Sequence, residues 1–304
     1  MENQMEDVRL IVYTDNPEIF KIYLSDLPIE YSLLTPVILE DMLAGTDFIH
    51  RRKVAVIDLT FRNFPNEDLV FMDSDTFCMN DPKPLLDRLS TGVSLLHKRE
   101  YNLKDGLALF SLFGQGQYPE AFIDYLSDRE FFILGKPETF SIQDYSWNSG
   151  VIGLNKQFRK YMPDIFAMTD DFFAHSHWFV SEQMAFSLIL QRKTHIVAAE
   201  NVIVHYWGAR QKVLVDSTIM KWFRQYTLKD LRNGKCMRPL TRKMQYLIDC
   251  DLIYEQLEIA VLQRNFIYSA KKAVQLVFLK MFKVKIRKPR KISSDQNLFK
   301  TPAI

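Results

Sequence analysis

The segment 68–72 is apolar after its first residue and passes directly into Asp73-Ser74-Asp75, and this junction constrains the fold more than any other part of the chain. A short apolar run that ends in polar turn residues is typical of a buried β-strand leading into a loop. Open α/β sheets place their ligands at the carboxyl ends of strands. The junction therefore predicts an α/β fold with an acidic pair at the ligand-binding edge of a sheet.

Other segments predict the elements around this junction. Residues 8–13 are apolar and β-branched and precede a polar turn at 14–17, which predicts a buried strand that leads through a loop into a helix. The apolar spacing predicts a helix within 47–64. We expect a mixed, mostly parallel sheet flanked by helices, with further elements as follows: strands at 93–97, 151–154 and 201–208, helices at 85–89 and from residue 181, and helical structure over 240–282.

The stretch 98–142 has no pattern that orders it in detail, although Gly106, Gly114, Gly116 and Pro119 interrupt it. Long insertions beside a ligand-binding edge are often functional loops. We consider two roles for this stretch, a lid over the site and an acceptor-binding surface.

Composition limits the class of protein. The 304 residues are 47% apolar, which suffices for a large core. Cys78, Cys236 and Cys250 form no Cys-x-x-Cys pair, so the sequence offers neither a disulfide framework nor a zinc knuckle. A secretory signal is absent, and no apolar run reaches the roughly 20 residues that cross a bilayer. We expect a protein of a reducing compartment such as the cytoplasm.

Charge is distributed unevenly along the chain. Residues 259–304 hold eleven Lys and Arg residues against one acid, Asp295, which gives +10, so the rest of the chain carries −8 of the net +2. An acidic body argues against nucleic-acid binding, for which a basic stripe is expected. The basic and apolar residues at 280–291 suit an anionic membrane surface, at the inner face of a membrane, although a solvated C-terminal segment would have the same composition.

Two carboxylates at positions 73 and 75 can converge on one side of a loop and offer hard oxygen ligands to Mg²⁺ or Mn²⁺. Such an ion can bridge the oxygens of a diphosphate and offset the charge that develops when a nucleoside diphosphate departs. An isolated Asp-x-Asp is also frequent on solvated loops, so the pair alone does not identify a site.

Three further motifs follow the acidic pair in order, namely Trp147-Asn148-Ser149-Gly150, Glu182-Gln183 and His205-Tyr206-Trp207-Gly208. With the strand before Asp73, they make residues 8–212 resemble the glycogenin and bacterial galactosyltransferase-like group of retaining GT-A glycosyltransferases. The resemblance implies a GT-A (Rossmann-like) fold and hexose transfer with retention from a UDP-sugar. It also implies Mn²⁺, or Mg²⁺, held by Asp73, Asp75 and His205. Docking of the basic segment on a membrane would favour a lipid-linked or cell-envelope glycan as the acceptor.

The resemblance also implies roles around the ion. Gln183 would lie beside the anomeric carbon with Glu182 as its neighbour, while Asn148 and Ser149 would hydrogen-bond to hydroxyls of the donor sugar. Arg210 and Lys212 would approach the diphosphate. The remaining donor-binding residues implied by the resemblance are Ser74, Gly150, Gly208 and Arg52.

Each of these residues has a structural alternative. His205 would also suit a core histidine, residues 148–150 an ordinary turn, and Glu182 with Gln183 the solvated first turn of a helix. The basic residues at 51–53 would equally form a solvated helix face. At least one of Tyr206 and Trp207 is expected to pack in the core.

Two features depart from the family pattern. The family has a strand and helix before the equivalent of 8–13 that supply the uracil pocket, and this sequence begins only seven residues before that segment. The family also has lysine where this chain has Gln211. We therefore keep the hypothesis of a non-catalytic scaffold that binds a partner or glycan. A haloacid-dehalogenase-like phosphatase is a weaker alternative, because Phe77 stands where that motif needs Thr or Val.

We expect two parts in the chain. Residues 1–238 would form the GT-A domain without the usual N-terminal strand, and residues 239–304 would form a helical, basic C-terminal extension.

Overall fold

The computed structural model describes residues 8–282 except residues 26, 228, 229 and 231–233. The described residues form twelve short strands: β1 Leu10–Thr14, β2 Ile29–Leu33, β3 Leu69–Met72, β4 Thr76–Cys78, β5 Val93–Leu96, β6 Arg99–Asn102, β7 Phe131–Ile133, β8 Lys136–Glu138, β9 Tyr145–Trp147, β10 Val151–Leu154, β11 His195–Ala198 and β12 Ile203–His205.

The described helices are α1 Pro17–Leu24, α2 Pro36–Asp41, α3 Arg51–Asn63, α4 Lys83–Leu86, α5 Leu103–Leu112, α6 Gln117–Leu126, α7 Met162–Ser176, α8 Ser181–Lys193, α9 Ala209–Gln225, α10 Gly234–Leu262 and α11 Phe266–Phe282, with a 3₁₀ helix at Lys156–Tyr161. The chain is a mixed α/β protein with small sheets and a helical C-terminal region. The helices predicted within 47–64 and from residue 181 are confirmed as α3 and α8.

The largest described sheet has the order β11-β5-β10-β3. β10 runs antiparallel to both β3 and β5, and only β11 and β5 are parallel. The prediction of a mostly parallel sheet is therefore wrong. The prediction failed because a short apolar run indicates burial on both faces of a strand but carries no information on the direction of that strand. Here β9 and β10 follow one another in the same direction, antiparallel to β6 and β5, with Asn148-Ser149-Gly150 between them.

β1 and β2 form a separate parallel pair. The strand predicted at 8–13 exists, but the prediction that it is buried is wrong, because no residue of β1 is buried. The covering helix α1 has no buried residue either. Tyr13 is the residue that ties β1 to the body, since it packs on the cluster formed by Leu34 and Val56 and its hydroxyl lies 2.8 Å from Thr60 Oγ1.

The main core lies between the sheet and the helices α3, α7 and α8. Every residue of α8 from Ser181 to Leu190 is buried, so this helix runs through the interior instead of along the surface. Its first turn therefore carries polar side chains into the protein. The burial of Glu182 and Gln183 excludes the alternative of a solvated first turn.

The stretch 98–142 is ordered as β6, α5, α6, β7 and β8. Leu103 and Phe122 are fully buried and belong to the same hydrophobic cluster as Met184 of α8. The stretch is thus part of the body and does not form a detached flap over the site. A role in binding an acceptor stays a prediction.

The C-terminal helices pack on the body. Leu240, Met244 and Ile248 of α10 share a cluster with Val204 of β12 and Val215 of α9. Residue 239 lies inside α10, so the predicted division at 238 does not coincide with the start of a helix. Within the described ranges, no helix combines the length and the apolar character needed to traverse a bilayer. Most of the basic run at 280–291 lies outside the described residues.

Candidate metal centre

Asp73 follows β3 and is fixed by its backbone. Its N–H donates to the carbonyl of Gly150 at 2.9 Å, which extends the pairing of β3 with β10 by one step. Thr76 Oγ1 donates to the Asp73 carbonyl at 2.7 Å and closes a tight turn. The turn aims the carboxylates of Asp73 and Asp75 to one side, as the spacing predicted.

The histidine reaches this turn through a second, two-stranded sheet. β4 pairs antiparallel with β12, so that His205 lies opposite Thr76. The N–H of Tyr206 donates to the Asp75 carbonyl at 3.0 Å and continues the pairing. This small sheet therefore fixes His205 beside the acidic pair.

Three groups converge as the resemblance implies. His205 Nε2 lies 3.1 Å from Asp75 Oδ1 and 3.8 Å from Asp73 Oδ2. One ligand atom from each residue lies within 4.8 Å of the other two. Carboxylates suit Mg²⁺ and Mn²⁺, and an imidazole suits first-row transition metals. The donor set and its convergence thus fit a divalent cation.

Gly150 makes room for the histidine ring. A β-carbon on residue 150 would lie only 2.1 Å from His205 Nδ1, a distance that no side chain tolerates. The glycine in the Asn-Ser-Gly motif is therefore needed for close approach to the imidazole.

Asn148 lies behind the histidine. Its Oδ1 is 2.7 Å from His205 Nδ1 and accepts from the Gly150 N–H at 3.1 Å. Its Nδ2 donates to Glu100 Oε1 at 3.2 Å. The carboxylate of Glu100 is held in a buried network, and burial raises its pKa against the smaller opposing effects of Lys98 and of the hydrogen bonds from Asn148 and Gln183.

Lys53 is the site residue that sequence reasoning missed. Its Nζ lies 3.0 Å from both Asp73 Oδ2 and Ser149 Oγ, and 3.4 Å from Glu182 Oε1. Burial alone would lower the pKa of Lys53, but the charges of Glu182 and Asp73 outweigh it and raise this pKa above its ordinary value. Lys53 therefore stays protonated between two carboxylates.

Arg52 does not occupy that position. Its Nε donates to the carbonyl of Leu39 at 3.1 Å, while Arg51 pairs with Asp170 at 2.7 Å. The alternative of a solvated basic face is wrong as well, since residues 51–53 are all partly buried. Helical spacing does not single out Lys53, because each of the residues 51–53 lies one turn before a buried residue of α3, namely Ala55, Val56 and Ile57.

Lys212, and not Gln211, lies beside the acidic pair. Lys212 Nζ lies 3.0 Å from Asp75 Oδ2, whereas Gln211 is buried. Burial would raise the pKa of Asp75, but hydrogen bonds from His205 and Lys212 outweigh it and hold the pKa well below its usual range. Arg210 instead pairs with Asp251 and Glu258 on α10, at 2.9 and 3.1 Å.

Glu182 and Gln183 lie under the site. Glu182 Oε1 accepts from Ser149 Oγ at 3.1 Å, and its Oε2 has no hydrogen-bond partner among the residues that the structure describes. Gln183 Oε1 accepts from the Ser149 N–H, and Nε2 donates to Glu100 Oε2 and to Ser146 Oγ. Both side chains thus contact the Asn-Ser-Gly motif.

The remaining predicted residues lie around this centre. Ser74 is exposed at the tip of the turn, and Gly208 precedes α9. Trp207 is exposed, with its ring centroid 5.2 Å from that of His205, while Tyr206 packs against Phe77. The prediction that one of the two aromatic residues packs in the core is confirmed for Tyr206.

Comparisons of this chain with protein-family models, with curated proteins and with solved structures each found no match.

Proposed function

We propose that this protein is a metal-dependent glycosyltransferase that moves a hexose from a UDP-sugar to a glycan or lipid-linked acceptor. The observation that carries the proposal is the convergence of Asp73, Asp75 and His205 within 4.8 Å at the ends of two sheets. We also propose, on the motif resemblance, that the mixed sheet and its helices are a GT-A fold and that transfer proceeds with retention.

Charge around the centre supports a diphosphate ligand. Lys53 and Lys212 each place an ammonium group 3.0 Å from one of the two aspartates. Mn²⁺ at this centre would supply a fixed positive charge that offsets the charge developing on the departing diphosphate. The two lysines would then be available to phosphate oxygens, to which charge-assisted hydrogen bonds are strong.

The residues beneath the metal centre are evidence for a sugar ligand. Glu182 presents a buried oxygen, Oε2, without a hydrogen-bond partner among the described residues, and buried polar atoms generally require one. A hydroxyl of the donor sugar would satisfy it. We propose that Glu182 and Gln183 lie beneath the donor sugar, with Trp207 as an exposed wall for the sugar or the acceptor.

Calorimetry with UDP and UDP-sugars tests this proposal. We expect binding in the presence of Mn²⁺ and its loss in EDTA, and loss of sugar transfer or donor hydrolysis in Asp75→Asn. Asp87→Asn is the matched control, because Asp87 is an exposed aspartate that pairs with Lys83. Full activity of Asp75→Asn, with Asp87→Asn unchanged, would contradict the metal centre.

One observation favours the second candidate, a non-catalytic scaffold that binds a partner or glycan. Both N–H groups of the Gln183 amide are used inside the protein, by Glu100 and by Ser146. Without rearrangement, they cannot donate to a substrate. Mn²⁺-dependent UDP binding without turnover of any UDP-sugar would support this candidate over the enzyme.

A further inference from the structure

Helix α11 has one side that packs on the protein and one outer side. Asn265 begins the helix, since its Oδ1 accepts from the Tyr268 N–H at 3.1 Å. One side of α11 packs on α10, and this side includes Leu279, which is 1% exposed, and the buried Ser269. The helix therefore has a defined inner side and a defined outer side.

The outer side is apolar. Ile267 is 88% exposed, and the residues that share its side follow at helical spacing. This exposed apolar face consists of Phe266, Ile267, Val274, Val277, Phe278 and Met281. Contiguous apolar surfaces of this kind are rare on soluble proteins unless they bind something.

Charge identifies the occupant. Residues 280–291 follow the face directly and hold seven Lys and Arg residues and no acid. Pairing this face with a second copy of the chain would bring two segments of net +10 together, which is unfavourable, whereas anionic lipid would neutralise both the run and Lys271. We propose that the exposed apolar face of α11 lies on an anionic bilayer surface, to which the positive charge of residues 280–291 adds electrostatic attraction.

Sedimentation of the full 304-residue protein with vesicles tests this inference. We expect binding to phosphatidylcholine vesicles that contain phosphatidylglycerol, little binding to pure phosphatidylcholine, and weaker binding at high salt. The double substitution Ile267→Ser and Phe278→Ser should reduce binding about tenfold or more, because two exposed side chains can no longer enter the lipid.

Val37→Ser is the matched control, because Val37 is 70% exposed on α2, outside this face. Equal binding of the double variant and the wild type would overturn the inference. So would a dimer, detected by light scattering, that the double variant dissociates, because the face would then be covered by a second copy.

The second inference concerns Asn148 and rests on the proposed metal centre. Two groups fix the orientation of its amide: the Gly150 N–H donates to Oδ1, and Nδ2 donates to Glu100 Oε1. Oδ1 is therefore the atom that faces His205 Nδ1, 2.7 Å away. Because an amide oxygen only accepts, Nδ1 donates to it, and Nε2 is then the nitrogen that faces Asp73 and Asp75 and is left to bind an ion.

We infer that Asn148 is a positioning residue for His205 instead of a contact to the donor sugar. Its amide holds the ring with Nε2 directed at Asp73 and Asp75. Groups that hold a metal-binding histidine in this way contribute about 10–100-fold to metal affinity. Glu100 acts through Asn148, because its carboxylate keeps the amide from turning over.

Paramagnetic resonance of free Mn²⁺, titrated with the full chain in the absence of nucleotide, tests this role. We expect Asn148→Ala to weaken Mn²⁺ binding about 10–100-fold. Asn148→Asp keeps an oxygen that can accept from both Gly150 and His205 but places a second carboxylate oxygen beside Glu100, so we expect its affinity to lie between those of the wild type and Asn148→Ala. Asn155→Ala, which removes an asparagine that contacts Asp68, is the control.

The outcomes separate the two proposals. If the wild type does not bind Mn²⁺, the metal centre itself is wrong. If the wild type binds and Asn148→Ala binds equally well, only the positioning role is overturned. Asn148→Ser, whose side chain is too short to reach His205, replaces the alanine variant if circular dichroism shows that the latter is unfolded.

Discussion

Gly150 and His205 are in such close contact that the absent β-carbon of residue 150 would overlap the imidazole, 2.1 Å from Nδ1. Gly150→Ala must therefore displace the ring or the β10 backbone. We expect a loss of about 1–3 kcal/mol in the free energy of unfolding, as is usual for overpacking. We also expect a loss of Mn²⁺ affinity, measured by calorimetry.

Gly153→Ala is the control for that variant. Its β-carbon would lie 2.7 Å from Leu95 in the same sheet, so it is also expected to be destabilising. Because Leu95 lies outside the metal centre, the folded variant should keep its affinity for Mn²⁺. Equal loss of affinity in both variants would show that the effect of Gly150→Ala is indirect.

Lys53 compensates two carboxylates, of which Glu182 is buried. Lys53→Met should reduce the free energy of unfolding by about 3 kcal/mol, because breaking a buried pair leaves uncompensated charge. Chemical denaturation measures the change. Arg52→Met, one residue earlier on α3, should cost clearly less, since it removes one hydrogen bond to a carbonyl. A larger loss in the free energy of unfolding for Arg52→Met than for Lys53→Met would contradict the placement of Lys53.

Asp75 has a lowered pKa, so the ionised side chain stabilises the folded state above its unfolded-state pKa of about 3.9. This stabilisation is lost as the pH falls. In EDTA, Asp75→Asn should be less stable than the wild type by about 1.5–3 kcal/mol near pH 6, the usual contribution of a hydrogen bond to a charged group. The difference should shrink towards pH 3, as followed by thermal unfolding. A difference independent of pH would contradict the assignment.

We expect Lys212, and not Gln211, to bind the diphosphate. Lys212→Met should weaken Mn²⁺-dependent UDP binding about tenfold, equivalent to one charge-assisted hydrogen bond. Gln211→Glu is not a suitable comparison, because Gln211 is buried. Lys221→Met, farther along α9, is the control. Unchanged UDP affinity in Lys212→Met would contradict the role of Lys212.

The sequence predicted the strand before Asp73, the helix at 181 and the convergence of Asp73 and Asp75, because burial and strand ends leave a local pattern in the chain. The place of His205 beside this pair was implied by the family resemblance and not by a local pattern. Strand direction was wrong, because β10 is equally apolar in either direction and its pairing depends on distant residues. Among three consecutive basic residues, only packing of α3 decides that Lys53 faces the site and Arg52 faces Leu39.

Helix α11 shows the same limit of prediction from the sequence. Apolar residues recur along α11 on both its inner and its outer side, so periodicity alone did not reveal which residues are exposed. Leu279 and Phe278 are neighbours of similar hydrophobicity, yet Leu279 is 1% exposed on the side that packs on α10 and Phe278 is 58% exposed. The position of α10 makes the difference.

The three candidate ligands belong to two separate sheets. Asp73 is tied through Gly150 to the four-stranded sheet, whereas Asp75 and His205 are tied to the pair β4–β12. A cation bound by all three residues would cross-link the two sheets. We therefore expect Mn²⁺ to slow amide hydrogen exchange in β12 as well as in β3. Because α10 packs on β12, binding of the donor would also stabilise this part of α10.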